Sequence, residues 1–168
     1  MNGLFVGKFL PPHQGHKWAI LDASKKCDVL FVVVGENPDA CKRLCKEAKI
    51  PYIDLSTKTA WLKEEFSKYQ NIKIIPFDES GISSMPFGWK EWSEKLKILV
   101  KEKIDVIFGS EESYAPFYKQ YFPESEYVLQ DPKRSKINIS ATKIRANINS
   151  NLDYIISSAK KFFKEQRK

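Results

Sequence analysis

His13 and His16 are the only imidazoles in the 168-residue chain, and they stand three residues apart. They belong to Gly7-Lys8-Phe9-Leu10-Pro11-Pro12-His13-Gln14-Gly15-His16, which leads from a short apolar run, Leu4–Val6, into a helical pattern over Gly15–Lys26. Two imidazoles in a Gly/Pro-flanked turn before a helix suit hydrogen bonding to phosphate oxygens and stabilisation of charge developing in a transition state. Gly7 and Gly15 let backbone come close to a ligand. The helix start turns its free amides and positive dipole end toward the same space. Arginine adds a second pointer. Of four arginines, Arg134 and Arg145 fall within the short stretch Asp131–Arg145, and the planar guanidinium fork matches phosphate oxygens better than a lysine does.

Other phosphate and metal signatures fail. Gly3-Leu4-Phe5-Val6-Gly7-Lys8-Phe9 has its glycines one residue too close for a P-loop, and Phe9 stands where a Ser or Thr would reach Mg²⁺. No G-x-G-x-x-G follows a strand, and no H-E-x-x-H occurs. Cys27, Cys41 and Cys45 make no metal-binding spacing and read as ordinary reduced thiols.

The elements that must position these residues alternate. Short apolar runs at Leu4–Val6, Val29–Val34, Ile72–Ile75, Val106–Phe108 and Tyr127–Leu129 read as strands buried on both faces. Helical patterns lie between them at Gly15–Lys26, Ser56–Tyr69, Gly88–Lys103 and Glu111–Phe122, with Ser56 as a candidate cap. Asn37–Leu55 and Asp78–Phe87 are expected to be irregular. Alternation of this kind predicts an α/β fold, a doubly wound parallel five-stranded sheet. Ligands of such sheets bind beyond the carboxyl ends of the strands, where strand order reverses. If the first strand is central, the histidine segment leaves it at that point.

Composition bounds the remaining classes. A hydrophobic fraction of 42% with 13% aromatics can fill a core. The length suits a single domain over 1–168. No apolar run is long enough for a membrane helix, the start lacks signal-peptide character, and three cysteines suit a reduced, cytoplasmic protein. The net charge is +7, but more than half of it falls in the last nine residues, 160–168, which are expected to form a solvated basic tail. A nucleic-acid partner is therefore not favoured, and neither is a membrane.

His13-Gln14-Gly15-His16 resembles the H-x-G-H signature of the nucleotidyltransferase superfamily, and Ile139-Ser140-Ala141-Thr142-Lys143-Ile144-Arg145 resembles its second, I-S-x-T-x-x-R. Class I tRNA synthetases carry a related first motif, but they are longer and have a lysine-rich loop that is missing here. Gly7-Lys8-Phe9, Gly88-Trp89 followed by Trp92, Ser110-Glu111-Glu112 and Asp131-Pro132-Lys133-Arg134 are together similar to the NadR-type nicotinamide mononucleotide adenylyltransferases. The similarity runs to about Phe163. It implies a Rossmann-like nucleotidyltransferase fold and transfer of AMP from ATP to nicotinamide mononucleotide, giving NAD⁺ and pyrophosphate. Nicotinate mononucleotide, pantetheine phosphate or flavin mononucleotide are the alternative acceptors, and a non-catalytic nucleotide sensor is the alternative outside enzymes.

The resemblance also implies roles. His13, His16 and Arg145 would be catalytic. Gly7, Lys8, Phe9, Gly15, Asp131, Arg134, Ser140 and Thr142 would hold ATP and its phosphates, with Mg²⁺ arriving on the ATP and no metal held by protein ligands. Trp89, then Trp92, would offer a platform to the cationic pyridine ring, although Trp92 is also in register with Leu96, Leu99 and Val100 as a core residue. Ser110 and Glu111 would meet the mononucleotide. NadR-type proteins often add a DNA-binding module and a kinase module, and neither is expected here. The family places arginines ahead of the helix at Trp61, where this chain has only Arg43. Oligomeric state is left open, homo-oligomers being common among such enzymes.

Overall fold

The computed structural model describes residues 1–166. Five parallel strands, β1 (Asn2–Gly7), β2 (Val29–Glu36), β3 (Ile72–Asp78), β4 (Val106–Gly109) and β5 (Glu126–Leu129), form one sheet in the order β3-β2-β1-β4-β5. β1 is central, and strand order reverses on either side of it. All-parallel pairing requires right-handed crossovers that lay helices on both faces.

Alternate residues of each strand feed two separate cores. Phe5, Leu30, Val32, Val34, Ile72, Val106 and Phe108 face one side. There they meet α1 (Gln14–Ser24), α2 (Pro38–Glu47), α3 (Leu55–Glu65), α6 (Ala141–Ala146) and α7 (Ser157–Glu165) through residues such as Ile20, Cys45, Leu62, Ile144 and Phe163. Leu4, Val33, Phe77 and Ile107 face the other side, against α4 (Trp89–Val100) and α5 (Ala115–Tyr121). This is the period-2 pattern of a sheet covered on both faces. It explains why the strands read as nearly continuous apolar runs.

Two expectations are corrected. Asn37–Leu55 is not wholly irregular, because α2 occupies most of it. Asn37 caps that helix by accepting from the Ala40 amide at 3.1 Å, and Pro38 takes the first turn, where its missing N–H costs nothing. The cap of α3 is Asp54, accepting from the Thr57 amide at 2.8 Å, and not Ser56.

Residues 160–166 of the basic stretch are also more ordered than a solvated tail. Its first residues continue α7, whose Ala159 and Phe163 are buried while Lys161 and Lys164 face outward. Phe162 and Phe163 pack on Trp61 of α3 at ring-centroid distances of 5.5 and 6.0 Å. Ser158 Oγ donates to the Trp61 carbonyl and the Ser157 amide donates to Glu65. Arg167 and Lys168 lie outside the described residues. No helix among the described residues is long and apolar enough to cross a membrane.

Because Phe163 joins α7 to the core, Phe163→Ala is expected to destabilise the protein by about 3–5 kcal/mol. Urea unfolding with an unchanged slope and a lowered midpoint is the readout. An unshifted midpoint would show that α7 is not part of the cooperative fold.

Candidate active site

The first turn of α1 has amides without intrahelical acceptors, and the two histidines supply them to each other. His13 stands at the N-cap and its Nδ1 accepts from the His16 amide at 3.3 Å. His16 Nδ1 reaches back and accepts from the His13 amide at 3.2 Å. This is a capping box built from imidazoles, where Ser/Thr and Glu are the usual partners. It requires the spacing i, i+3. It also sets the tautomer, because a nitrogen that accepts carries no proton, so each neutral ring has its N–H on Nε2. The rings stack with centroids 3.6 Å apart and planes 22° from parallel. Gly15 is needed for this packing, since a Cβ there would lie 2.9 Å from His13 Cε1.

Electrostatics keep both rings neutral. Burial, with the Arg134 cation adding to it, lowers His13 from 6.5 to about 4. Burial first, then neighbouring His13 and Arg134, pushes His16 well below the usual imidazole range. What the pair presents is two neutral N–H donors beside a guanidinium.

The loop leading to the box is fastened from several sides. Phe9, at φ 52° in the left-handed region, is buried and sets its ring edge-on against His16 at 4.6 Å. Gly7 makes room for that ring, as a Cβ there would lie 2.8 Å from Phe9 Cζ. Arg145 Nη1 donates to the Leu10 carbonyl at 2.6 Å. The Ile156 amide donates to the Pro12 carbonyl, and Ile155 bridges His13.

His13, Gly15 and His16 line a cavity of about 220 Å³ together with Ser110, Asp131, Arg134, Ser140 and Thr142. The elements that bring them together are the carboxyl ends of β1, β4 and β5 and the starts of α1 and α6. Ser110 follows β4, and Asp131 and Arg134 sit in the turn after β5. Asp131 spends its carboxylate on that turn, accepting from the Ser135 hydroxyl and the Ser135 and Lys136 amides. Those bonds hold it below the usual carboxylate range. Arg134 has φ 53° and anchors one nitrogen on the Ile139 carbonyl at 2.8 Å. Ser140 caps α6 by accepting from the Lys143 amide at 3.2 Å, which leaves its own O–H free to donate. Arg145 stands just outside the lining, with Nη2 at 3.5 Å from Thr142 Oγ1.

Other expected residues lie apart. Gly7 and Phe9 act behind the histidines, and the Lys8 side chain is exposed beyond the lining. Trp89 is only 4% exposed. One face stacks on Phe117 at 5.0 Å, and Tyr114, Trp92 and Tyr118 meet it edge-on. Trp92 is equally buried and donates from Nε1 to Glu79 at 2.7 Å. The expectation of a free tryptophan face is thus corrected: both rings belong to the α4 and α5 core, where large aromatic surfaces pack best. Glu111 is outside the lining too, and its carbonyl takes the Tyr127 hydroxyl.

Lining residues that were not foreseen as site residues include Trp18, Ile137 and Gln130. Trp18 and Ile137 form apolar walls, and Gln130 ties the end of β5 to α1 by donating from Nε2 to the Ala19 carbonyl and Asp22, both at 3.0 Å. Trp18 carried a signal, as an aromatic two residues past the motif. Gln130 carried none, its partners being more than 100 residues away.

The histidine pair makes stability depend on pH in a stated direction. Below about pH 6.5 the unfolded chain binds protons that folded His13 refuses until about pH 4. Stability is complete above that window and falls as pH drops through it, by on the order of 3 kcal/mol. His13→Asn keeps a capping acceptor but does not titrate, so it should flatten the profile. Denaturant unfolding across the window is the check, and a wild-type profile no steeper than that of His13→Asn would contradict the reading.

No family model matches the chain. It is 34% identical over 165 residues to the trifunctional NAD biosynthesis/regulator protein NadR of Escherichia coli strain K12, a match spanning 96% of this chain and 40% of NadR. It is 26% identical over 156 residues to the nicotinamide-nucleotide adenylyltransferase of Pyrobaculum aerophilum, spanning 86% of this chain and 74% of that protein. A crystal structure of a NadR protein in complex with NAD and AMP-PNP superimposes with a TM-score of 0.73 at 25% identity, over 96% of this chain and 46% of that one. The chain thus spans less than half the length of the NadR proteins it matches. With the strand order, the imidazole capping box and the second motif at α6 all in place, the chain corresponds to a NadR-type nucleotidyltransferase domain.

Proposed function

We propose that this chain transfers the adenylyl group of Mg-ATP to nicotinamide mononucleotide, giving NAD⁺ and pyrophosphate. The observation that carries the reading is the pair of tautomer-locked imidazoles on the wall of a cavity shared with Ser140, Thr142 and Arg134. The names of the relatives support the same reaction, one being a nicotinamide-nucleotide adenylyltransferase and the other a protein of NAD biosynthesis.

In this reaction a phosphate oxygen of the mononucleotide attacks the α-phosphorus in line. The bond from that phosphorus to the bridging oxygen breaks, and pyrophosphate leaves. The attacking oxygen is already anionic, so positioning and charge stabilisation matter more than a base. His13 and His16 donate from Nε2 to α-phosphate oxygens. They do so as neutral groups, which leaves the ground state without a full cation beside every oxygen and strengthens the contact as charge builds. Arg134, the Ser140 hydroxyl and Thr142 take the outer phosphates, with Arg145 behind Thr142. Lys8 adds long-range positive charge at the mouth. Mg²⁺ bound with the ATP would supply charge neutralisation at the phosphates. Imidazole N–H, hydroxyl and guanidinium donors suit nucleotide phosphates more than a metal. Trp18 and Ile137 give the purine its apolar walls. In this reading, the pyridine ring meets Trp89 only with movement of Tyr114, Phe117 and Tyr118, which pack on it.

Pyrophosphate release from Mg-ATP with a panel of phosphorylated acceptors tests the proposal. Turnover is expected with nicotinamide mononucleotide. No release with either pyridine mononucleotide would sink it, and turnover only with pantetheine phosphate or flavin mononucleotide would reassign the acceptor. His16→Gln retains an acceptor for the His13 amide but replaces the rigid ring Nε2–H with a flexible carboxamide donor displaced from the ring's position, so kcat should fall by roughly 10²-fold with the melting temperature nearly kept.

A further inference from the structure

One buried charge cluster lies beside the site without belonging to its two motifs. Lys58 on α3 is 1% exposed, and its Nζ lies 3.0 Å from Glu36 Oε1 at the end of β2. Glu36 Oε1 has no other polar partner, while Oε2 accepts from the Tyr52 hydroxyl at 3.0 Å. Burying such a pair is expensive, and a well-packed apolar pair would usually hold the fold as well or better. The pair also does something an apolar pair could not. Lys58 Nζ donates at 3.0 Å to the backbone carbonyl of Lys8.

That carbonyl precedes Phe9, the residue with φ 52° whose ring supports His16. One peptide beyond Phe9, the Leu10 carbonyl is held by Arg145. Two cations therefore hold the carbonyls of the two residues that flank one strained residue, one cation from the second signature motif and one from outside both motifs. A non-glycine residue in the left-handed region stays there only when its surroundings hold it. Glu36 aims the ammonium, the ammonium holds the Lys8 carbonyl, and the turn sets Phe9 beneath His16.

We propose that Lys58 is a positioning residue for adenylyl transfer, acting through the Lys8 carbonyl on the Phe9–His16 contact, with Glu36 as its orienter. The effect on rate rests on the reaction proposed above; the effect on His16 does not. Lys58→Met alone strands a buried carboxylate and is expected to unfold readily, so it decides little. The informative variant is Glu36→Leu/Lys58→Met, which removes both charges and should melt close to wild type. If Lys58 only balances Glu36, this double variant behaves as wild type. If it positions the turn, kcat falls at least tenfold while KM for ATP changes by less than about threefold, because the phosphate-binding groups after β5 and on α6 are untouched.

Ring-proton resonances of His16 give a readout independent of turnover, and with two histidines in the chain the spectrum is simple. In the double variant they should move as the Phe9 ring edge shifts. Wild-type kcat together with unmoved His16 resonances would overturn the proposal. If the wild-type protein releases no pyrophosphate, the function proposed above falls. The resonances alone then decide: moved, the positioning role stands; unmoved, it fails.

Discussion

The constraint on which the site depends is the pair of reciprocal hydrogen bonds between His13 and His16. A helix start needs acceptors for its first amides, and here the acceptors are the Nδ1 atoms of the residues whose Nε2 atoms are wanted for chemistry. One arrangement thus ends the loop, starts the helix and fixes both tautomers. The spacing of three residues, the glycine at 15 and the stacking of the rings are all conditions for it. So is the neutrality of the imidazoles, because two cations at that separation in a buried site would repel each other strongly. Burial and Arg134 keep the protons off.

The sheet order makes such a site accessible to a nucleotide. With β1 central, the chain leaving its carboxyl end enters the crevice where the two halves of the sheet diverge. β4 and β5 deliver Ser110, Asp131 and Arg134 to one side, and α6 delivers Ser140 and Thr142 above them. On the other side, β2 and α3 supply Glu36 and Lys58, which fasten the Phe9 turn. The donors of the proposed reaction are thus held by contacts far apart in sequence, as a transition-state site needs if its donors are to be in place before charge develops.

Much of this was legible in the sequence for local reasons. Strands buried on both faces leave continuous apolar runs, so all five were visible, with ends off by a few residues at most. The histidine turn was legible because spacing, glycine and proline act on neighbouring residues. Helix α2 was missed because its composition is strongly polar and only Cys41 and Cys45 are buried, although Asn37-Pro38 was an available start signal. Trp89 misled because a tryptophan after a loop looks the same whether Phe117 covers it or a ligand does. Lys58 was invisible as a functional residue. In sequence it is one lysine among many, and only folding brings it to a carbonyl 50 residues away.

The claim underlying the whole account is that the two imidazoles are neutral, with their protons on Nε2. Nitrogen-15 NMR of the histidine side chains reads this directly in the folded protein at neutral pH. The account predicts that both residues show an acceptor-type Nδ1 and a protonated Nε2, unchanged as pH falls to about 5. A protonated Nδ1 on either ring, or a cationic imidazole at neutral pH, would contradict it.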